Sequence, residues 1–187
     1  MKKFMVHLCI IAAFVLLCGC ANRSVIADTE NTASSEVVEK WLDFYTDYEN
    51  MPWGDNTLEL ELPEFPNVTF TWNWERVTAT DHNGEIVLFG GWPIWSVYLT
   101  DITGDGLPDF VATVSFGSGI VDTRVLVYDY ANNELYDLSD RAVYDYALLM
   151  ENGNLFVQRT PYLTGTAGDS QKGVLRIIDG KLTMIIN

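Results

Sequence analysis

Val68-Thr69-Phe70-Thr71-Trp72-Asn73-Trp74 alternates apolar and polar residues over seven positions, and this period of two decides how the rest of the chain is read. Val68, Phe70, Trp72 and Trp74 fall on one face and Thr69, Thr71 and Asn73 on the other, as a half-buried antiparallel strand requires. Toward the C-terminus the signal recurs around turn-forming pairs. Asn83-Gly84 separates residues 76–80 from 85–89, Asn152-Gly153 separates 147–150 from 155–158, and Asp179-Gly180 separates 174–178 from 182–186. Each pair suits the positive φ of a two-residue hairpin. Residues 95–99, 110–116, 124–130 and 134–138 supply further runs, giving about ten short strands.

Toward the N-terminus the period changes to 3.6. Val37, Trp41, Phe44, Tyr45 and Tyr48 recur at helical spacing behind Ser34 and Ser35, which can cap a helix, with Glu36 and Glu39 at its positive end. Pro52 and Gly54 close it. Residues 163–173, rich in Gly, Thr, Asp and Ser, read as a mobile loop. No period of 30–50 residues repeats, which argues against a multi-blade propeller built from this chain alone. The expected fold is mainly β: a single antiparallel β-sheet domain over residues 34–187, sandwich-like or a meander, with one N-terminal amphipathic helix.

The chain has 187 residues, 48% hydrophobic and 13% aromatic, a globular composition that excludes disorder and coiled coil. Eleven Lys and Arg against 26 Asp and Glu leave a net charge of −15, a field that repels phosphate backbones. Nucleic acid is not an expected partner, and cations are the natural counterpart. Lys2 and Lys3 precede an apolar run over residues 4–17, too short for a span but right for a signal peptide. The run ends in Leu17-Cys18-Gly19-Cys20, which resembles the lipobox of bacterial lipoproteins. The resemblance implies a signal peptide over residues 1–19 and lipidation at Cys20 by acyl chains such as palmitate. Two acyl chains anchor stably where one does not. Residues 20–33 then read as a flexible tether. The expected location is the extracytoplasmic face of the cell membrane, with the bilayer as first partner. All cysteines lie at positions 9, 18 and 20, so the domain has no thiol for a disulfide, a nucleophile or a zinc site.

Asp101-Ile102-Thr103-Gly104-Asp105-Gly106-Leu107-Pro108-Asp109 joins two strand candidates and carries oxygen side chains at positions 1, 3, 5 and 9. Calcium takes six to eight oxygen ligands, and this spacing turns alternate residues toward one point, with the carbonyl of position 7 added. Gly106 allows the tight turn and Gly104 is expected to relieve crowding. The pattern resembles the calcium loops of FG-GAP and VCBS repeats. That resemblance makes Asp101, Thr103, Asp105 and Asp109 side-chain ligands and Leu107 a backbone ligand of Ca2+. Position 12 is Ala112, so the bidentate Glu of an EF-hand is missing, and affinity in the range of about 0.1–1 mM is expected. The alternative is a hairpin loop held by local Asx hydrogen bonds without metal.

Catalytic patterns are sparse. His82 is the only histidine beyond the signal segment and sits beside Asn83-Gly84, as a solvent-exposed turn residue would. No His-Glu-x-x-His, Ser-x-x-Lys, Lys-Thr-Gly or P-loop occurs. The expected role is non-catalytic binding or sensing, with calcium as the candidate cofactor. A glycan or cell-wall binding module using exposed aromatics is the alternative, with Trp72, Trp74, Trp92 and Trp95 as a candidate stacking platform and Trp92 and Trp95 as candidate ligand-binding residues, although alternation favours Trp packing in sheets. A carboxylate-based hydrolase is the third reading.

From about Pro63 onward, Asn67-Val68-Thr69-Phe70-Thr71-Trp72, Trp92-Pro93-Ile94-Trp95, and the runs over residues 98–109 and 112–122 are similar to the extracytoplasmic C-terminal region of clostridial BlaR/MecR-like metallopeptidase sensors and of stand-alone lipoproteins. The resemblance implies an extracytoplasmic accessory or sensing domain of a Gram-positive bacterium, binding a protein or glycan. The zinc protease and the acylation motif of the full sensors are absent from this sequence.

Overall fold

The computed structural model describes residues 39–117 and 119–186. The chain enters as β1 (Glu39–Asp43), passes through one turn of helix, α1 (Phe44–Asp47), and a 3₁₀ turn (Tyr48–Asn50). Three successive sheets follow. β2 (Leu58–Glu61), β3 (Thr69–Trp72), β4 (Arg76–Asp81) and β5 (Gly84–Gly90) form an antiparallel meander in chain order. β6 (Ile94–Thr100), β7 (Asp109–Phe116), β8 (Asp122–Asp129) and β9 (Glu134–Leu138) form the second, and β1 joins it beside β6. β10 (Tyr144–Glu151), β11 (Asn154–Pro161), β12 (Gln171–Ile178) and β13 (Lys181–Ile186) form the third. The domain is therefore mainly β and antiparallel throughout.

The second sheet lies in the middle because its strands are apolar on both faces. Phe110, Ala112, Val114, Leu126 and Tyr128 pack with Phe70, Trp72, Val77 and Leu88 of the first sheet. The alternate residues Val111, Val125 and Val127 pack with Tyr146, Leu148, Val157, Leu175 and Leu182 of the third. β7 is thus buried over all but its last residue, and continuous apolar runs replace the one-sided alternation of the outer strands. Phe70, Trp72 and Phe110 are fully buried, and each side chain of this kind contributes about 1.5–3 kcal/mol by leaving water.

The four-stranded up-and-down unit is repeated three times without any sequence period. The missing period therefore does not mean that the architecture is unrepeated, since side chains in each copy follow their own burial. Two of the expected hairpins have the expected turns: Asn152 and Gly153, and Asp179 and Gly180, all have positive φ between paired strands. The third slips by one residue. Asp81 pairs with Gly84, so His82-Asn83 form the loop, and the Asp81 carboxylate accepts the Asn83 backbone N–H at 2.7 Å. His82 is exposed, as expected of a turn residue.

The N-terminal helix needs correction. Among the described residues only 44–47 are α-helical; residues 39–43, expected inside the helix, are strand. A bulge between Lys40 and Leu42 in the pairing with β6 turns both Trp41 and Leu42 toward the core, where Trp41 meets Trp72 at 5.8 Å and Phe110 at 6.3 Å. Strand, bulge and helical turn in succession imitate a helical spacing. The helix begins where Asp43 caps it, accepting from Tyr45 N at 2.8 Å and Thr46 N at 3.3 Å. Residues 171–173 of the expected mobile loop are strand as well. Gly173 stands there because a Cβ would meet the Ile185 carbonyl oxygen at 2.2 Å. The signal peptide, Cys20, the tether and Ser34 to Val37 lie outside the described residues.

Candidate functional site

The two sequence-selected regions occupy opposite ends of β6. At its far end, the Asp101–Asp109 loop is held by its own carboxylates. Asp101 accepts N–H groups from Gly104, from Asp105 at 3.2 Å and from Gly106 at 2.8 Å. Asp105 Oδ1 accepts from Leu107 N at 2.8 Å. Asp109 Oδ2 accepts from Ile102 N at 2.7 Å and Thr103 N at 2.9 Å, with the Thr103 hydroxyl at 3.5 Å from Oδ1. Gly104 and Gly106 have φ of 82° and 86°, and neither has an atom within 4 Å of a Cβ position. Gly104 is therefore required by its left-handed backbone and not by crowding.

A second element contributes a carboxylate that the motif does not include. Asn132, in the turn after β8, donates to Asp129 Oδ2 at 2.7 Å and to Asp105 Oδ2 at 3.3 Å, tying two turns together. Asp129 and Asp109 are both buried. Burial is the main reason that the Asp109 carboxyl is pushed up to about 6; the Asp129 charge adds to it, while the bonds from Thr103 and Ile102 oppose it. Among the described residues no three His, Cys, Asp or Glu side chains converge as a metal cluster. Leu107 leans on the first-sheet core.

At the near end of β6 the chain turns through Gly90, Gly91, Trp92 and Pro93, with a cis peptide before Pro93. Backbone bonds fix the corner. Trp92 N donates to Ser115 O at 2.7 Å, Ser115 N to Pro93 O at 3.0 Å, and Ile94 N to Trp74 O at 2.8 Å. Trp92 nevertheless keeps 63% of its surface exposed. Its ring lies 6.0 Å from Trp74, which lies 6.4 Å from Trp53, which lies 5.7 Å from Tyr48. Phe44 touches Tyr45, Tyr48, Trp53 and Trp95, and Tyr45 and Tyr48 are 73% and 60% exposed. These rings form a continuous aromatic band from the corner to the helical turn.

Trp92 and Trp95 therefore part company. Trp95 is half-buried, donating its indole N–H to Ser115 Oγ at 2.7 Å and packing 4.8 Å from Phe44. It supports the band from below. Trp74, on the core face in the alternation of the opening stretch, lies past the end of β3 and belongs to the band. Phe44, Tyr45, Tyr48 and Trp53 are the residues that sequence reasoning missed as a surface. Tyr45 and Tyr48, three apart on a short polar turn, and Trp53 between Pro52 and Gly54 are the signals that could have found them. The chain matches no protein-family model, and no curated protein and no solved structure is significantly similar to it.

Proposed function

We propose that the chain is a lipid-anchored, extracytoplasmic, non-catalytic binding domain whose ligand face is the aromatic band and whose ligand is a cell-surface glycan. One observation carries the reading: Trp92 is largely exposed on a backbone fixed by hydrogen bonds, with Trp74, Trp53 and Tyr48 continuing from it. Sugar rings present C–H faces that stack on aromatic planes, and rigid rings lose little entropy when they bind. Large exposed aromatic patches on a folded domain mark interaction sites. The lipobox at Cys20 supports placement at the membrane. The buried Asp109 and Asp129 suit a hydrolase poorly, since substrate cannot reach carboxylates with 1% and 2% exposure.

The test is titration of the full chain with N-acetylglucosamine hexasaccharide and with soluble muropeptides, followed by tryptophan fluorescence. Saturable quenching that is lost in Trp92→Ala supports the reading, and unchanged binding by that variant refutes it. An unmodified N-terminus on membrane-recovered protein, read by mass spectrometry, would refute the anchor.

We also propose a narrower role for the Asp101–Asp109 loop, as a place where calcium outside the cell adds stability. The support is its spacing together with the lone pairs its carboxylates retain: Asp105 and Asp109 each accept fewer bonds than two oxygens allow. Calorimetry with EDTA-treated protein and Asp105→Asn tests it.

A further inference from the structure

Most sheet edges among the described residues carry charges. Glu39, Lys40 and Asp43 lie on β1, Glu59 and Glu61 on β2, Glu134 and Asp137 on β9, and Asp145 and Glu151 on β10. Charges of this kind discourage other chains from pairing along an edge. β13 carries Lys181 and runs beside β9.

β5 differs. It is the outer strand of its sheet, it is seven residues long, from Ile86 to Gly90 it contains neither charge nor proline, and the bulge at Leu88 in its pairing with β4 leaves Gly84–Val87 as its regular stretch. Ile86 and Val87 are 44% and 55% exposed, so two consecutive residues, which point to opposite faces, are both open. A cavity of about 230 Å³ adjoins this end of the strand, lined by Ala79, Asp81, Asn83, Glu85, Ile86 and Tyr130. Its walls combine an apolar floor with two carboxylates.

We propose that β5 is a strand-addition site for an extended cationic peptide, which pairs with its backbone, places one apolar side chain in the cavity and sets a Lys or Arg against Asp81 and Glu85. An edge strand supplies main-chain hydrogen bonds for affinity, and a pocket beside it selects alternate side chains. The charge of the pocket decides the partner's chemistry. Asp81 is held in the ionised form chiefly by the Asn83 N–H groups, and the net charge of −15 draws cationic chains toward the surface. This site is separate from the aromatic band, and it stands or falls independently of glycan binding.

The probe is a synthetic heptapeptide of alternating Lys and Val, titrated into the full chain with calorimetry and amide hydrogen exchange. Saturable binding is expected, with slowed exchange confined to amides in residues 85–89. The same peptide N-methylated on alternate backbone nitrogens, and a peptide of alternating Glu and Val, are expected to bind at least tenfold more weakly. Glu85→Lys should weaken the Lys-Val peptide at least tenfold, and Glu85→Gln by less. Equal binding of the N-methylated peptide, or protection located elsewhere, would overturn the proposal. Protection of residues 85–89 that rises with protein concentration and ignores the peptide would overturn it too, making the partner a second copy of this chain.

Discussion

The two ends of β6 are built from the same strand pair, β6 and β7, and they treat their functional groups in opposite ways. At the Asp101–Asp109 end, both oxygens of Asp101 and one each of Asp105 and Asp109 accept amides of the same loop, so most of the carboxylate polarity goes into holding a shape. At the Trp92 end, the backbone carries the shape, and the side chain is left in solvent. A large group that the fold does not consume is the better sign of a binding role than a polar group that it does.

The largest effect that sharpens this contrast is on stability. Trp95→Ala is expected to cost about 3 kcal/mol, because the ring packs on Phe44 and its indole N–H leaves Ser115. Chemical denaturation measures it. Trp92→Ala, two positions before the start of β6, should change stability by no more than about 0.5 kcal/mol. Comparable losses for both would mean that Trp92 is also a packing residue, and the contrast would be broken.

The next effect belongs to the acidic end. Burial raises the folded-state pKa of Asp109 to about 6, above its unfolded value, so the folded state holds the proton more tightly. The group's contribution is fully present below about pH 4, is lost as pH rises toward 6, and stays lost above that. The span is of the order of 3 kcal/mol. Asp109→Asn should flatten this part of the pH profile, with stability compared at pH 4 and pH 7. A profile that keeps its slope in the variant would place the titrating group elsewhere.

Smaller again is the binding effect of Trp92→Ala, at least tenfold in affinity for the hexasaccharide, or about 1.4 kcal/mol. Calcium has an effect of the same size. At ten times its dissociation constant the ion should add about 1.4 kcal/mol of stability, falling well below that in Asp105→Asn. A melting temperature indifferent to calcium would leave the loop to its Asx bonds.

Much of the fold was legible because hairpin chemistry is local. The pairs Asn152-Gly153 and Asp179-Gly180 predict their turns from two residues each. The failures came where distant partners decide. Residues 39–43 read as helix because a bulge places Trp41 and Leu42 side by side on one face, and only the pairing with β6 reveals it. Gly173 read as loop because the carbonyl it accommodates lies on another strand. The acidic loop was legible as a motif, whereas the contribution of Asp129 through Asn132 was not, since it comes from a turn 27 residues away from Asp105. Trp92 was legible as a candidate because it follows Gly90-Gly91. The band around it was not, because Trp53, Trp74 and Tyr48 meet only after three segments are brought together.

The most direct test of the binding face is a fluorescence titration of the full chain and of Trp92→Ala with N-acetylglucosamine hexasaccharide, at matched stability. The account predicts saturable quenching in the chain and at least a tenfold loss of affinity in the variant. Identical titration curves, or no response of the chain to this ligand or to muropeptides, would contradict it.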